Sequence, residues 1–451
     1  MSPPLDLDVL RSVAASVLEL GGADEVEVVA SGSITGLTRY ANSGIVQNTA
    51  RREVRVHVRV ATGGRVASAT TNQLDVKSLS AAGARARAAA RATPEDHAYP
   101  GMANPAEAGV ADPLLRFDQA TEAATPADRA ATVAALIAAA EGASSAGIVE
   151  TGSHAYAVLN SHGLERFDAF TRANATCLAE VDGATGWAER SLTALEALDP
   201  EELGRRAGRA AAAARAPVAA EPGERTVVLA PPAVAGLLEY FAYTGFGAKE
   251  VIEGRSFLTR RAGQAVAAEM VTVADDVFHD ASIGIAFDLE GCAKQRVAVI
   301  DRGIATGPVT DRRTARRLGL PNTGHSSGSG AWGPYAFNVV LYGGSGSLDD
   351  LVAGVDDGIF VTRFWYVNVL DRPTALLTGM TRDGTFSIRR GELAEPLHNL
   401  RFAQGVLEAL STCEGLSGTA ECAVPEWGPL GSVVAPAARL GSFSFSASRG
   451  R

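Results

Sequence analysis

Three short stretches of the chain carry side chains that could do chemistry. "GHSSG", Gly324 to Gly328, fits the G-x-S-x-G pattern of a nucleophile elbow, with Ser326 as nucleophile and His398 downstream in the chain order of a triad. Such an elbow needs a strand before the turn and a helix after it, so that the hydroxyl stands clear at a sheet edge. Here a helical "RRTARRLGL" and a proline-containing loop precede it, and "SGAWGPYAF" behind it does not begin a helix. The competing reading is a flexible Gly/Ser loop whose amides line a cleft. "ADDVFHD", Ala274 to Asp280, gathers three carboxylates and His279, a set suited to a hard cation or to a solvated loop. "LLEYFAYTGF", 237 to 246, is an apolar helix pattern in which Tyr240, Phe241, Tyr243 and Phe246 suit either a core or a contact surface.

Other chemistries find little support. The histidines are His57, His97, His154, His162, His279, His325 and His398, and no two are four apart, so there is no HExxH zinc helix. His57 falls on the polar face of a strand pattern and His162 in a turn, both ordinary surface positions. "GGSGS", Gly343 to Ser347, lacks the lysine of a phosphate loop and leads into an acidic helix start. Cys177, Cys292, Cys413 and Cys422 form no CxxC pair, and so few scattered cysteines do not make a disulfide framework.

The whole chain bounds the function further. Its 451 residues exceed one ordinary core and suggest two or three domains. The formal net charge is −10, and lysine occurs only at Lys77, Lys249 and Lys294. An acidic chain without a basic stripe is a poor nucleic-acid binder. The opening "MSPPLDLDVL" has no signal-peptide pattern, and no run of about 18 apolar residues predicts a membrane span. A cytoplasmic protein that binds neither nucleic acid nor membrane is expected.

The elements that must position these residues are legible in outline. "LDLDVLRSVAASVLELGG" predicts a helix with Leu10, Val13, Val17 and Leu20 on one face and Gly21-Gly22 as its stop. "REVRVHVRV" alternates Val54, Val56, Val58 and Val60 as a half-buried strand, and "TGGR" after it is a hairpin turn. Helices are expected from about Asp75 to Ala92, from Thr125-Pro126, from Asp199-Pro200, and from Ser347 as a capping-box variant with Asp350. The turns "ANSG" near residue 42 and "NSHG" at 160 to 163 form a faint internal echo, too weak to define a repeat. Asp383-Gly384 predicts a hairpin. Strands dominate the second half without alternating with helices. The expected fold class is therefore α+β in two domains. A helix/strand domain over 1–216 and a linker over 217–224 precede a mainly antiparallel, β-rich domain over 225–451.

From Arg225 onward the chain resembles the TldD/PmbA family, the modulator of DNA gyrase family of metallopeptidases. The residues that carry the resemblance are "GRSFLTRRAGQAVAAEMVTVADD", "FDLEGCAKQRVAVIDRGIATGPVTDRRTARRLGLPNTG", "LDDLVAGVDDGIF" and the closing "VVAPAARLGSFSFSA". "YANSGIVQ" and "VRVHVRVATGGRVASATTN" are similar to the family's first domain, so the likeness covers nearly the whole chain. The resemblance implies two related subunits. The catalytic one carries HExxxH on the helix after the "VVL" strand, and a C-terminal cysteine completes a zinc site. Laid on this chain, that motif puts its first His at Glu239, its Glu at Tyr240 and its second His at Thr244. Cys422, fourteen residues before Pro436, falls near the cysteine position. None of the first three can play the expected part, and an inert thiol is the simpler reading of Cys422. "RFWYVNVLDRPT" and "TGHSSGSGAWG" also depart from the catalytic pattern. The resemblance thus implies a TldE/PmbA-like subunit with no catalytic residue and no metal of its own, zinc being expected on a TldD-like partner that acts on peptides. The readings from other classes are a stand-alone serine hydrolase using Ser326 and His398, and a non-enzymatic binding homodimer.

Overall fold

The structure, a computed structural model, describes residues 7–18, 23–426, 428 and 430–446. Its strands fall into two sheets, one of six strands and one of eleven, each with its own helices. The fold is α+β.

The first lobe opens with α1 (Leu7–Leu18), which buries Val13 and Val17; Leu20 and the predicted stop at Gly21-Gly22 lie outside the described residues. There follow β1 (Glu25–Ala41), β2 (Gly44–Thr62), β3 (Arg65–Thr71), α2 (Val76–Ala92), the short α3 (Pro105–Ala108) and α4 (Gln119–Ala123), and α5 (Pro126–Ala139). Then come β4 (Ser144–Asn160), β5 (Glu165–Val181), β6 (Ala184–Leu192) and α6 (Pro200–Ala213). The predicted caps hold: the Asp75 carboxylate accepts from Ser78 N, Thr125 and Asp128 form a reciprocal box, and Asp199 accepts from Glu202 N.

The sheet runs β3-β2-β1-β4-β5-β6, all antiparallel. The order is a repeat. Helix, three-strand meander and helix occur twice, as α1 to α2 and as α5 to α6, and the copies meet at β1 and β4. The two similar turns occupy equivalent places, joining β1 to β2 and β4 to β5. The echo that sequence leaves too weak to define is therefore structural; different side chains fill the two copies' cores, which hides it.

The second lobe comprises β7 (Gly223–Leu229), α7 (Pro231–Gly245), α8 (Ala248–Ile252), α9 (Leu258–Arg261), β8 (Val273–Asp275), β9 (Val297–Asp301), β10 (Ile304–Ala305) and α10 (Arg312–Leu318). It continues with β11 (Asn338–Leu341), α11 (Leu348–Ala353), β12 (Asp357–Asp371), β13 (Leu376–Arg389), β14 (Glu392–Pro396), β15 (Arg401–Gly405), α12 (Val406–Ser411), β16 (Cys413–Ala423) and β17 (Ser432–Ser446). Most pairings are antiparallel; β11–β17 and β12–β7 are parallel. Because β17 also pairs with β7, the circuit β17-β15-β13-β12-β7 closes on itself. Its core takes Leu237, Leu238 and Phe241 of α7 together with Val361, Phe402 and Phe443. Each such buried side chain stabilises by about 1.5–3 kcal/mol. Val218 is bridged to Leu397, so the segment before β7 is tied to the second lobe.

One expected turn is overturned. Asp383-Gly384 does not close a hairpin: β13 runs straight through it, with φ of 55° and 119° at the two residues. Val361 pairs with Thr385 and Arg363 with Arg382, so two residues of β13 face the single Thr362. That is a β-bulge, which uses the same left-handed backbone that makes Asp-Gly a turn signal. The bulge turns the Asp383 carboxylate inward, where it accepts from Arg363 Nε (2.6 Å) and from Thr185 Oγ1 of the first lobe (2.7 Å). Arg390-Gly391 makes the real turn to β14.

The lobes share a buried seam. Tyr156, Val158 and Phe170 of the first pack against Ile283, Ile285, Phe287, Val434 and Cys422 of the second. Arg172 donates to the Gly431 carbonyl across it (2.6 Å), and Arg206 pairs with Glu421 at 2.8 Å. Among the described residues no helix is long and apolar enough to cross a membrane.

Candidate functional site

β7 leads straight into α7 through Pro231-Pro232, whose fixed φ suits a helix's first turn. Helical geometry then divides the aromatic run. Phe241 and Phe246 are fully buried and pack edge-on at 4.9 Å, with Phe257 beside them. Tyr240 and Tyr243 instead line a cleft of about 950 Å³. Core and contact surface are both present, on different faces of one helix.

Opposite α7 the cleft is walled by Trp332, Tyr335 and Phe337, by Asn368 to Leu370 of β12, by Val339 and Val433 of the sheet, and by Tyr156 from the first lobe. Its cation is Arg372, whose guanidinium lies 4.6 Å over the Tyr243 ring and donates to the Tyr243 hydroxyl at 2.6 Å. Of the "GHSSG" loop, Ser327 reaches the cleft and Ser326 does not.

The positions matched to the zinc motif do not assemble into a donor set. Residues five apart on an α-helix are turned by roughly 140°. Glu239 and Tyr240 accordingly open on the cleft, while Thr244 is fully buried and donates to the Phe241 carbonyl at 2.8 Å. Glu239 accepts from the Glu426 amide (2.6 Å), and Tyr240 donates to the Glu426 carboxylate (3.0 Å). Both side chains thus hold the turn that follows β16. Burial, and then the bond to Glu426, pushes the Tyr240 phenol upward, away from any use as a base.

Cys422 lies apart from all three. It pairs in register with Val434 and packs with Val434 and Val340 against the first lobe, whereas Ala423 packs toward the core that holds α7. Side chains alternate along a strand, so the thiol is on the face of the sheet turned away from the helix. Burial pushes its pKa up to about 11, only partly offset by nearby Arg172, Arg116 and Arg190, and the thiol stays protonated. Glu239, Tyr240, Thr244 and Cys422 therefore do not fit a zinc ion. Among the described residues no group of three or more His, Cys, Asp or Glu is placed to hold a metal.

"ADDVFHD" is likewise split. Asp275 points inward, with an oxygen 3.0 Å from His325 Nε2, and Asp276 accepts from the Tyr342 hydroxyl at 2.5 Å. The His279 ring accepts from the Ala281 amide. Behind Phe337, Asp275 belongs to a buried polar group in which Lys294 donates to Asn338 Oδ1 at 2.9 Å. Burial alone would raise the Asp275 carboxyl; His325, then Lys294, outweigh it and hold it below the ordinary range. The Lys294 ammonium is lowered by burial against the opposing pull of Asp275, Asp288 and Asp168. With every member so buried, this network braces the cleft wall and does not open on it.

Ser326 and His398 are not brought together. Ser326 is buried in a loop, its amide donating to Asp288 (2.8 Å) and its hydroxyl accepting from Gly328 N (3.2 Å). His398 is exposed, and its backbone donates to Val218. No strand-turn-helix surrounds "GHSSG", so the hydroxyl lacks the exposed position that an elbow supplies. Sequence reasoning missed Tyr156, Tyr335 and Arg372. Each is ordinary in its own segment and joins the site only because distant elements converge.

Residues 115–215 match the PmbA/TldA metallopeptidase central domain, and residues 222–447 match the PmbA/TldA metallopeptidase C-terminal domain. A metalloprotease of Methanothermobacter thermautotrophicus is 28% identical over 226 residues, 49% of either chain. A metalloprotease TldD homolog of Buchnera aphidicola is 28% identical over 162 residues, 35% of this chain and 33% of its own. The chain thus spans half or less of the length of these curated relatives. Among solved structures, TldE from Thermococcus kodakarensis superposes with a TM-score of 0.84 at 19% identity, covering 98% of this chain and 99% of that one. The chain belongs to the PmbA/TldD metallopeptidase family.

Proposed function

We propose that the chain is the TldE/PmbA-like, non-catalytic subunit of a heterodimeric TldD/TldE zinc metallopeptidase that cleaves or trims peptides. One observation carries the reading. α7 keeps its place beside a large cleft, but Glu239 and Tyr240 are tied to the turn after β16, Thr244 is sealed in the core, and Cys422 faces away. The zinc, its activated water and the general base would belong to a TldD-like partner in the cytoplasm. This subunit's part is to wall the cleft and hold substrate beside the partner's metal, binding neither nucleic acid nor membrane. Positioning of that kind accelerates a reaction without contributing a catalytic group.

The test is a native mass spectrum of protein purified gently from its own source. A one-to-one complex with a second chain, whose zinc stays with that chain on dissociation, is the expected result. A homodimer or monomer without a second chain would overturn the partnership. Zinc retained on this chain alone would overturn the assignment of the metal.

A further inference from the structure

The aromatic cleft adjoins a second one. Tyr156 lines both the cleft of about 950 Å³ beside α7 and another of about 740 Å³ on the first lobe's sheet. The second cleft has a floor of small residues, Ser31, Gly32 and Ser33 of β1. Strand register sets its walls. Arg55, Ser31 and Tyr156 form one row across the sheet, and Glu53, Ser33 and His154 form the next.

Its charge is opposite to that of the chain as a whole, which carries −10. Arg51, Arg52 and Arg55 line it against the single carboxylate of Glu53, and that carboxylate is paired with Arg51. Arg55, on the same sheet face as Arg51 and Glu53, is exposed and makes no ion pair among the described residues, whereas the Arg52 side chain starts from the opposite face at the cleft's rim. A positive cleft in an acidic protein attracts anionic groups and raises their local concentration. Beside it, β3 pairs with β2 only over Val56 to Thr62, so the outer edge of β2 from Gly44 to Arg55 is open to main-chain hydrogen bonds. Together the two clefts exceed the roughly 300–1,000 Å³ of a small-molecule pocket. Aromatic walls, a strand edge and an unpaired guanidinium in series match an extended chain better than a compact ligand.

We propose that the adjoining clefts bind an extended acidic peptide, with a bulky apolar residue between Tyr243 and Tyr335 and a carboxylate-bearing residue at Arg55. This deepens the peptidase-subunit reading and rests on it, since it names the class of peptide that this subunit would hold for its partner.

The test uses the full chain and fluorescein-labelled heptapeptides that pair one phenylalanine with two acidic residues three to four positions away. The controls are their asparagine and glutamine counterparts. At low salt the acidic peptide binds roughly tenfold more tightly than its amide counterpart, as expected for contacts with charged partners, and the advantage shrinks as salt screens it. Arg55→Glu abolishes the advantage, costing the acidic peptide more affinity than its amide counterpart; Tyr335→Ala weakens both. Equal affinities, or a preference that survives the Arg55→Glu change, would overturn the proposal. So would displacement of the peptide by equimolar tripolyphosphate, which would make this a simple anion site. The assay needs no second subunit. A chain that prefers acidic peptides but purifies without a zinc-bearing partner would therefore refute the subunit reading alone, and the converse would refute only this one.

Discussion

Replacing His154 with phenylalanine is expected to make the protein less sensitive to mild acid. His154 is 5% exposed and stacks on Phe170 with ring centroids 5.0 Å apart. Burial, helped by the nearby Arg172 charge, lowers its pKa to about 3, against about 6.5 in an unfolded chain. Between those values the unfolded chain holds a proton that the folded chain does not. Stability is therefore full above about pH 6.5 and falls as the pH drops toward 3. At pH 5 protonation favours the unfolded ring by about 30-fold and the folded ring hardly at all, so His154 alone removes about 2 kcal/mol relative to pH 7. That figure changes little as long as the folded value lies well below 5. The His154→Phe variant keeps a ring on Phe170 and removes the titrating site. Any packing difference is the same at both pH values and cancels. Urea unfolding of both proteins at pH 7 and pH 5 gives the comparison: wild type should lose about 2 kcal/mol more than the variant. Equal losses, or a His154 ring resonance titrating above about pH 5.5, would refute the reasoning.

Two further outcomes follow from the site. In the folded chain Cys422 should resist iodoacetamide near neutral pH and become reactive only in denaturant, because its thiol is buried and held protonated with a pKa of about 11. Labelling at the rate of an exposed thiol would place it on the wrong face of the sheet. Asp275→Ala should cost about 3–5 kcal/mol, because it removes the buried carboxylate that lies 3.0 Å from His325 Nε2, accepts from the Asn338 amide and helps offset the buried Lys294 charge. The depressed Asp275 carboxyl also makes this contribution full above the ordinary carboxylate range, and it is lost as pH falls through the folded value. A loss below about 1 kcal/mol in thermal unfolding at neutral pH would show that the network braces nothing.

The features legible in the amino-acid order are local ones. Helix starts at Asp75, Thr125, Asp199 and Ser347 were readable because a cap is a contact between residues three apart. The strand with Val56, Val58 and Val60 was readable because one face of it is buried with period two. The long match from Arg225 onward carried the family, and the α+β class followed from strands that do not alternate with helices. Tertiary structure decided the rest. Asp383-Gly384 offers left-handed backbone, but only the partner strand determines whether that bends a turn or a bulge. The aromatic run on α7 is one pattern in sequence and two environments in space, because helix rotation sends Phe241 to the core and Tyr243 to the cleft. Cys422 and Ala423 are equally plausible neighbours of a metal on paper. Strand alternation turns the methyl toward the helix and the thiol away from it. Tyr156 and Arg372 stand far apart in the chain and line one cleft only where the two lobes close. No local signal could report them, since the free energy that places them is the burial of the seam between two sheets.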